Sequence, residues 1–356
     1  MRDEGMLDPW YRARLKRLRW LSLLGVLFAA LVILAGAWTR LVDAGLGCPD
    51  WPGCYGQWVV PDEARALVHS PDVPLEASKA WMEMLHRYLA SSLGLLVIIV
   101  VVLGWRLRQR VGYPWRLSLV LLALILVQGA FGAFTVTLRL WPQVVTLHLL
   151  GGMAVMGGFL WLHLRVRHLS MSGAWRRQPR RLTPLWGVAL GLLVLQLALG
   201  GWTSSNYAGI ACQGFPTCNA QWWPSMDWGE GFHLTQTVGP NYLHGQLHAE
   251  ARSAIHVGHR LGGAALFLCL LGLGWRYRHD RGVSPWLGVM GGVCLLQAAL
   301  GIANVLLWLP LWLALLHTAG ATMLVVATLL AVWSWRWGEA APRSSPSMTA
   351  RELMHA

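Results

Sequence analysis

The sequence is poor in charged residues, and this scarcity decides its class. Asp, Glu, Lys and Arg together make up 13% of the 356 residues, whereas about 25% is usual in soluble globular proteins. Hydrophobic residues make up 55%. A soluble globular domain is therefore excluded, and the composition predicts an integral membrane protein.

The sequence also lacks a continuous basic face and an organellar import signal. Its formal net charge is +13, but the basic residues form short clusters between long apolar runs, as in membrane loops. Nucleic-acid binding needs a basic patch on one face and is therefore excluded. Asp3, Glu4 and Asp8 make the N-terminus too acidic for a transit peptide, so a bacterial plasma (inner) membrane is the expected location.

Eight apolar runs have about the 20 residues that a helix needs to cross a bilayer. They lie at 20–37, 82–104, 117–137, 144–164, 184–201, 255–275, 286–307 and 312–335. These runs predict an all-α multi-pass membrane protein. The first run is interpreted as a mature helix and not as a signal peptide, because the sequence that follows it recurs deep in the chain.

The basic clusters predict the orientation of the chain. They lie before the first run, after the last, and in the second, fourth and sixth connections. Because basic loops stay on the cytoplasmic side, both termini are expected there. The long loops 38–80 and 202–254 are then periplasmic, and we expect them to be ordered lids.

The chain contains an internal duplication. Cys48 and Cys54 recur in the second half at the same spacing as Cys212 and Cys218, and the histidines His86 and His148 recur as His259 and His317. Since each half holds four helices, an even number, both halves enter the membrane in the same direction. The sequence thus predicts two tandem pseudo-symmetric four-helix bundles related as parallel repeats.

The same features predict the domain boundaries. They are a basic cytoplasmic N-terminus (1–19), a first four-helix half (20–168), a cytoplasmic linker (169–183), a second half (184–335) and a disordered cytoplasmic tail (336–356).

Four histidines lie inside predicted membrane helices at matching positions: His86, His148, His259 and His317. A single such histidine is usually an interhelical hydrogen-bonding residue. Four in a duplicated frame indicate two bis-histidine heme sites, because facing imidazoles suit heme iron between antiparallel helices. Zinc is disfavoured, since each half supplies two ligands and zinc prefers four.

Glu83 is the acidic residue closest to these histidines. It precedes His86 by three residues and so lies on the same helix face, about 4.5 Å farther out. The second half has His256 at this position, and this asymmetry suggests that one heme is substrate and the other a resident cofactor. The alternative is an interface carboxylate paired with Arg87 or Lys79.

Arg87 and Arg260 each follow a histidine directly. Both are candidate partners for heme propionates, since guanidinium groups bind carboxylates in pairs of hydrogen bonds. Ordinary snorkelling toward the membrane interface is the alternative.

The two loop cysteines have the same spacing in each half. Because both loops are assigned to the oxidising side, they predict the disulfides Cys48–Cys54 and Cys212–Cys218. A redox-active pair is the alternative.

Together these motifs resemble the heme A synthase family of cytochrome oxidase assembly. The resemblance covers residues 20–335. It is carried by Thr39-Arg40, Gly45-Leu46, Cys48-Pro49-Asp50-Trp51-Pro52, Glu83-Met84-Leu85-His86-Arg87, Ile255-His256-Val257-Gly258-His259-Arg260 and the helices of His148 and His317. It implies two similar four-helix halves. It also implies conversion of heme O to heme A, in which two successive hydroxylations turn the C8 methyl into a formyl group with oxygen from water.

By position, the resemblance implies a role for each site residue. His86 and His148 would bracket the substrate heme, His259 and His317 would ligate a heme b cofactor, and Glu83 falls on the essential acid. The resemblance implies heme O as the substrate and heme O synthase (protoheme farnesyltransferase) as the protein that delivers it within the lipid membrane. A homo-oligomer is left open. Many relatives lack one or both cysteine pairs.

Two rival functions remain at this point. A diheme electron-transfer cytochrome b explains the four histidines equally well but not a carboxylate in one half only. A heme carrier needs exchangeable ligation in both halves and no reactive acid. Turnover of heme separates both from an enzyme.

Overall fold

The structure is a computed structural model that describes residues 9–110, 112–172 and 179–338. This part of the chain contains ten helices and no β-strand. They are α1 (Pro9–Leu41), α2 (Glu63–His69), α3 (Ala77–Trp105), α4 (Trp115–Thr137), α5 (Pro142–Ser172), α6 (Pro184–Ser205), α7 (Trp228–Gly231), α8 (Ala249–Arg276), α9 (Ser284–Leu306) and α10 (Leu311–Trp337).

All helices except α2 and α7 are long and apolar enough to cross a membrane. This confirms the predicted all-α multi-pass class with eight spanning helices. Residues 1–8, 173–178 and 339–356 lie outside the described residues, and with them much of the predicted N-terminus, linker and tail.

Helix α1 begins well before the predicted start of the first membrane run. The basic stretch from residue 9 to 19, predicted as part of a tail, is helical. Tyr11, Leu15 and Leu18 are buried in the main apolar core, and their spacing places them on one helix face. Arg12 and Arg17, which lie between them in the sequence, are exposed, so an amphipathic stretch extends the helix. Helix α5 likewise continues to Ser172, past the predicted start of the linker.

The spanning helices pack in two sets of four. In the first set, α1 and α4 each contact both α3 and α5; in the second, α6 contacts α8, α8 contacts α9, and α9 contacts α10. The two sets meet through α1 with α10, α5 with α6, and α5 with α10. The symmetry relation between the sets stays a prediction, and so do the domain boundaries.

One apolar core draws side chains from all eight spanning helices. Its fully buried members include Leu18, Phe159, Trp186 and Leu273. Smaller clusters lie beneath the long loops, one of them around the disulfide-bonded Cys48 and Cys54. The loops are thus packed against the helix ends, as expected for ordered lids.

The two long loops share local backbone geometry. In each, a cysteine forms an isolated bridge with the residue three positions later, Cys54 with Gln57 and Cys218 with Gln221. Tyr55 and Asn219, directly after these cysteines, both adopt positive φ, 50° and 54°. The loop turn is therefore part of the internal repeat.

The second loop has an extra part that reaches the other half. The stretch from Cys218 to His259 is longer than its counterpart from Cys54 to His86. Residues 234–242, the crossing segment, lie over the α4–α5 turn: the Leu234 carbonyl accepts from Gln143 Nε2 at 3.0 Å and the Gln236 carbonyl from Trp141 Nε1 at 3.1 Å. The crossing segment ties the second loop to the first half.

Candidate functional site

The four predicted histidines form two matching pairs. The imidazole centroids of His86 on α3 and His148 on α5 lie 6.4 Å apart with an interplanar angle of 88°. Those of His259 on α8 and His317 on α10 also lie 6.4 Å apart, at 78°. Each pair therefore joins the second and fourth spanning helices of its half.

This spacing fits an iron atom between the rings. Two metal–nitrogen bonds of about 2.0 Å and two ring radii of about 1.1 Å place the centroids of two such imidazoles about 6.2 Å apart. In His86, His148 and His317 the Nδ1 atom is buried while the residue remains partly exposed. Because Nδ1 is buried against the protein, the other ring nitrogen, Nε2, is the one left for a metal. The donor set fits a heme held by two histidines.

A glycine of a neighbouring helix faces each of these rings. A Cβ added at the glycine would lie 2.8 Å from the His86 ring for Gly36, 3.6 Å from His148 for Gly132, 3.3 Å from His259 for Gly200 and 3.3 Å from His317 for Gly301. Gly132 and Gly301 occupy matching positions in the two halves, and so do Gly36 and Gly200. None of the four was assigned a role from the sequence, although this repetition was a signal that could have found them.

Replacing Gly200 with Val is expected to displace the His259 ring, because even a Cβ would press on it at 3.3 Å and a branched side chain adds more bulk. We expect the heme of the second half to be lost, measured as heme per protein in the purified chain. Gly191→Val is the matched control on the same helix, since a Cβ there meets nothing within 4 Å. Equal heme content in the two variants would contradict the packing argument.

No protein-only metal site accompanies these pairs in the described ranges. Among residues 9–110, 112–172 and 179–338, no group of three or more His, Cys, Asp or Glu side chains is arranged so that it could hold a metal ion. Each histidine pair supplies two ligands, which suits heme because the porphyrin supplies the other four.

Glu83 is buried, with 4% of its surface exposed. Its Oε2 accepts the main-chain N–H of Cys48 at 2.9 Å, and its Oε1 pairs with Arg87. Lys79 pairs with Glu76 instead, at 2.8 Å. The pairing of Glu83 with Arg87 was one of the two ion pairs considered from the sequence. A catalytic role for the same carboxylate stays a prediction.

His256 occupies the corresponding place in the second half and also contacts the main chain that follows the first helix of its half. It is buried, and its Nδ1 lies 2.8 Å from the carbonyl oxygen of Ala208. Glu83 and His256 both attach their helix to the turn that follows the first helix of the half. Only Glu83 brings a carboxylate to this place.

Arg87 and Arg260 attach the disulfide loops to their helices. Arg87 donates to the carbonyls of Asp50 at 3.0 Å, Pro52 at 3.2 Å and Gly53. Arg260 donates to the carbonyls of Thr217 at 3.0 Å and Gly214 at 2.8 Å. Their binding to heme propionates stays a prediction.

Both predicted cysteine pairs are disulfides. The Cα atoms of Cys48 and Cys54 lie 4.9 Å apart and those of Cys212 and Cys218 lie 4.6 Å apart, within the usual range. Cys269 and Cys294 are free thiols on α8 and α9.

Under denaturing, non-reducing conditions, alkylation is expected to label Cys269 and Cys294 alone, because the other four cysteines are bonded. Prior reduction should make all six cysteines available. Intact-protein mass spectrometry counts the labels. More than two labels before reduction would show that a loop pair is open in the purified protein.

A polar cluster joins the two halves at their loop-bearing ends. Arg40 donates to the Ser204 carbonyl at 2.7 Å, its guanidinium carbon lies 3.8 Å from the centre of the Tyr207 ring, and Tyr207 donates to Asp43 Oδ1 at 2.8 Å. Burial raises the pKa of Tyr207, and the nearby guanidinium of Arg40 partly opposes this. Burial thus favours the neutral phenol, which can donate to Asp43.

The chain resembles proteins of one family along nearly its whole length. The family model of the cytochrome oxidase assembly protein, COX15-CtaA, matches residues 19–329. Heme A synthase of Shewanella oneidensis is 40% identical over 92% of this chain and 99% of its own length. Heme A synthases of Rhizorhabdus wittichii and Caulobacter sp. strain K31 are 28% and 30% identical over 88% and 89% of this chain and 92% and 95% of their own lengths.

Proposed function

Because this chain belongs to the cytochrome oxidase assembly protein family COX15-CtaA, we propose that it is a heme A synthase in which each half holds one heme. It is a multi-pass membrane oxidoreductase that acts on heme O, as the function of its relatives requires. The diheme cytochrome and the heme carrier are left without support, since the similar proteins that cover almost the whole chain are named as synthases.

The reaction oxidises the C8 methyl of heme O to a formyl group. Each of its two hydroxylations adds one water-derived oxygen, releases two protons and passes one electron pair to an external acceptor. Loss of one water from the resulting hydrate leaves the formyl group. The protein must therefore hold the methyl group still, admit water and take up protons beside a buried ring.

We assign the substrate to His86 and His148, and a resident heme b to His259 and His317. Both pairs have the ring spacing that heme iron needs, so geometry alone does not separate them. Glu83 favours this assignment, since it brings a buried carboxylate close to the first pair only. Heme b, when bound, supplies a one-electron redox centre in the second half.

Glu83 is the proposed catalytic residue. As a carboxylate in a site of low dielectric, it can stabilise positive charge that develops on the substrate or accept a released proton. Its two hydrogen-bond partners, the Cys48 N–H and Arg87, hold the side chain in one position. Arg87 links this position to the carbonyls of the disulfide loop.

The setting of the enzyme follows from the same reasoning. We propose a bacterial plasma membrane with both termini on the cytoplasmic side and the disulfide loops in the periplasm. Heme O carries a long apolar tail, so direct transfer from heme O synthase within the membrane is the proposed route of delivery. A homo-oligomer remains compatible with this arrangement.

Heme analysis of membranes tests the function. The chain is produced in cells with a heme O source, and extracted hemes are separated by chromatography. Heme A, or the alcohol that precedes it, is expected with this chain and absent with an empty vector. Heme O and unmodified heme b alone, from well-folded protein, would contradict the proposal.

A further inference from the structure

A glutamine covers the helix beside three of the four ligand histidines. The residue three positions after the histidine is glycine in three cases, and a Cβ there would collide with a glutamine side chain of the neighbouring helix. The contacts are Gln128 on Gly151, Gln297 on Gly320 and Gln196 on Gly262. After His86 the corresponding residue is Leu89, and Val32 stands where the second half has Gln196. The His86 site is thus built differently from the other three.

Gln196 is also in contact with a ligand ring. Its Nε2 lies 3.2 Å from Nδ1 of His259 and 3.2 Å from the main-chain oxygen of the same residue. In His86, His148 and His317, Nδ1 has no well-aligned hydrogen-bond partner; His86 and His317 instead interact with a main-chain group, of Val32 and Gln297 respectively. Among the described residues, His259 alone of the four has a side-chain partner for its ring.

The oxygen of the Gln196 amide is the group that a ligand histidine needs. When Nε2 of His259 binds iron, Nδ1 carries a proton and requires an acceptor. Gln196 Oε1 is buried without a partner in the described part of the chain, and the two ends of an amide are told apart only by their hydrogen bonds. A half-turn of the amide brings Oε1 to Nδ1. This turn gives up the hydrogen bond from Gln196 Nε2 to the His259 carbonyl. That carbonyl already accepts a main-chain hydrogen bond within α8.

Two glycines of α8 admit this amide. A Cβ on Gly262 would lie 2.5 Å from Gln196 Oε1, and one on Gly263 would lie 3.3 Å from Nε2. The first half has Leu89 and Ala90 at these positions. A glutamine at position 32 would therefore meet side chains where Gln196 meets open backbone.

We propose that Gln196 is a positioning residue that fixes the His259 ring for resident heme b, and that its absence beside His86 leaves the first heme exchangeable. The inference rests on the proposed function, in which His259 ligates heme b. An accepted Nδ1–H holds the ring orientation and makes the ligand more basic. The second heme is thereby retained through turnover, whereas the first must arrive as substrate and leave as product.

The test measures heme release from the purified holoenzyme, prepared without heme O, to excess apomyoglobin. We expect Gln196→Leu to release the second heme about 10–100-fold faster than wild type, the loss typical of removing a partner of a metal ligand, and to raise its midpoint potential. Gln196→Glu, which can only accept, should restore slow release and lower the potential. Gln297→Leu removes the buried amide that packs on Gly320 but no side chain that is bonded to a histidine ring. It therefore measures how much lost packing alone speeds heme release.

The outcomes distinguish a failure of the inference about Gln196 from a failure of the proposed heme-ligand assignment. If Gln196→Leu releases heme no faster than Gln297→Leu, or if Gln196→Glu raises the potential as Gln196→Leu does, packing explains the glutamine and the inference is overturned. If His259→Ala keeps the second heme with an unchanged spectrum, the ligand assignment itself fails. In protein purified with heme O bound, the double variant Val32→Gln/Leu89→Gly is expected to slow release of heme O from the first half, and unchanged release there would count against the inference.

Discussion

Glu83→Gln is expected to lower the rate of heme A formation by about 10²- to 10⁴-fold, the range for loss of a positioned acid or base, with both hemes still bound. Gln keeps an oxygen that can accept the Cys48 N–H now bound by Glu83 Oε2. What it loses is the negative charge and the ability to take a proton. The measurement is the ratio of heme A and its alcohol precursor to heme O in extracted membranes.

Two matched variants separate catalysis from structure. Arg87→Gln breaks the same ion pair and also removes the loop contacts, but leaves the carboxylate. His256→Gln alters the counterpart in the second half. If Glu83 served only to pair with Arg87, Arg87→Gln would reduce turnover at least as much as Glu83→Gln, because it also removes the loop contacts. A much larger loss for Glu83→Gln, with little change for His256→Gln, is the expected result.

His259→Ala or His317→Ala is expected to remove the resident heme, with retained heme falling by at least the roughly 10–100-fold typical of disturbing a ligand's partner. Each leaves a single axial imidazole where the structure places two with centroids 6.4 Å apart. In protein made without heme O, we expect the low-spin heme b spectrum to disappear in both variants. Heme b content is measured as the pyridine complex against protein.

His86→Ala is the control in the other half. It should leave the heme b spectrum of the second half in place while abolishing heme A formation in cells that supply heme O. Loss of the low-spin signal in His86→Ala, together with its survival in His259→Ala, would reverse the assignment of substrate and cofactor between the halves.

The spanning helices could be predicted from the sequence because crossing a bilayer imposes a length and an apolar composition on each. The histidine pairs could be predicted because duplication placed them at matching positions. The start of α1 at Pro9 could not, because it depends on burial of Leu15 and Leu18 in a core built from all eight helices.

The contacts of Arg87 and Gln196 lay beyond sequence reasoning for a related reason. An arginine beside a ligand histidine suits a propionate and a loop carbonyl equally well by residue type, and only the folded loop brings the carbonyl of Asp50 within 3.0 Å. In the sequence, Gln196 is a single polar residue in an apolar run. Its meeting with His259 depends on the rotation of α6 against α8.

The crossing segment has a consequence during synthesis. The Leu234 carbonyl that binds Gln143 stands 91 residues farther along the chain. At about 5–20 residues per second, the ribosome needs on the order of ten seconds to make that stretch. During this time the α4–α5 turn of the newly inserted first half is uncovered. A chaperone or a heme-delivering protein that binds this turn would therefore bind only chains whose crossing segment has not yet been synthesised.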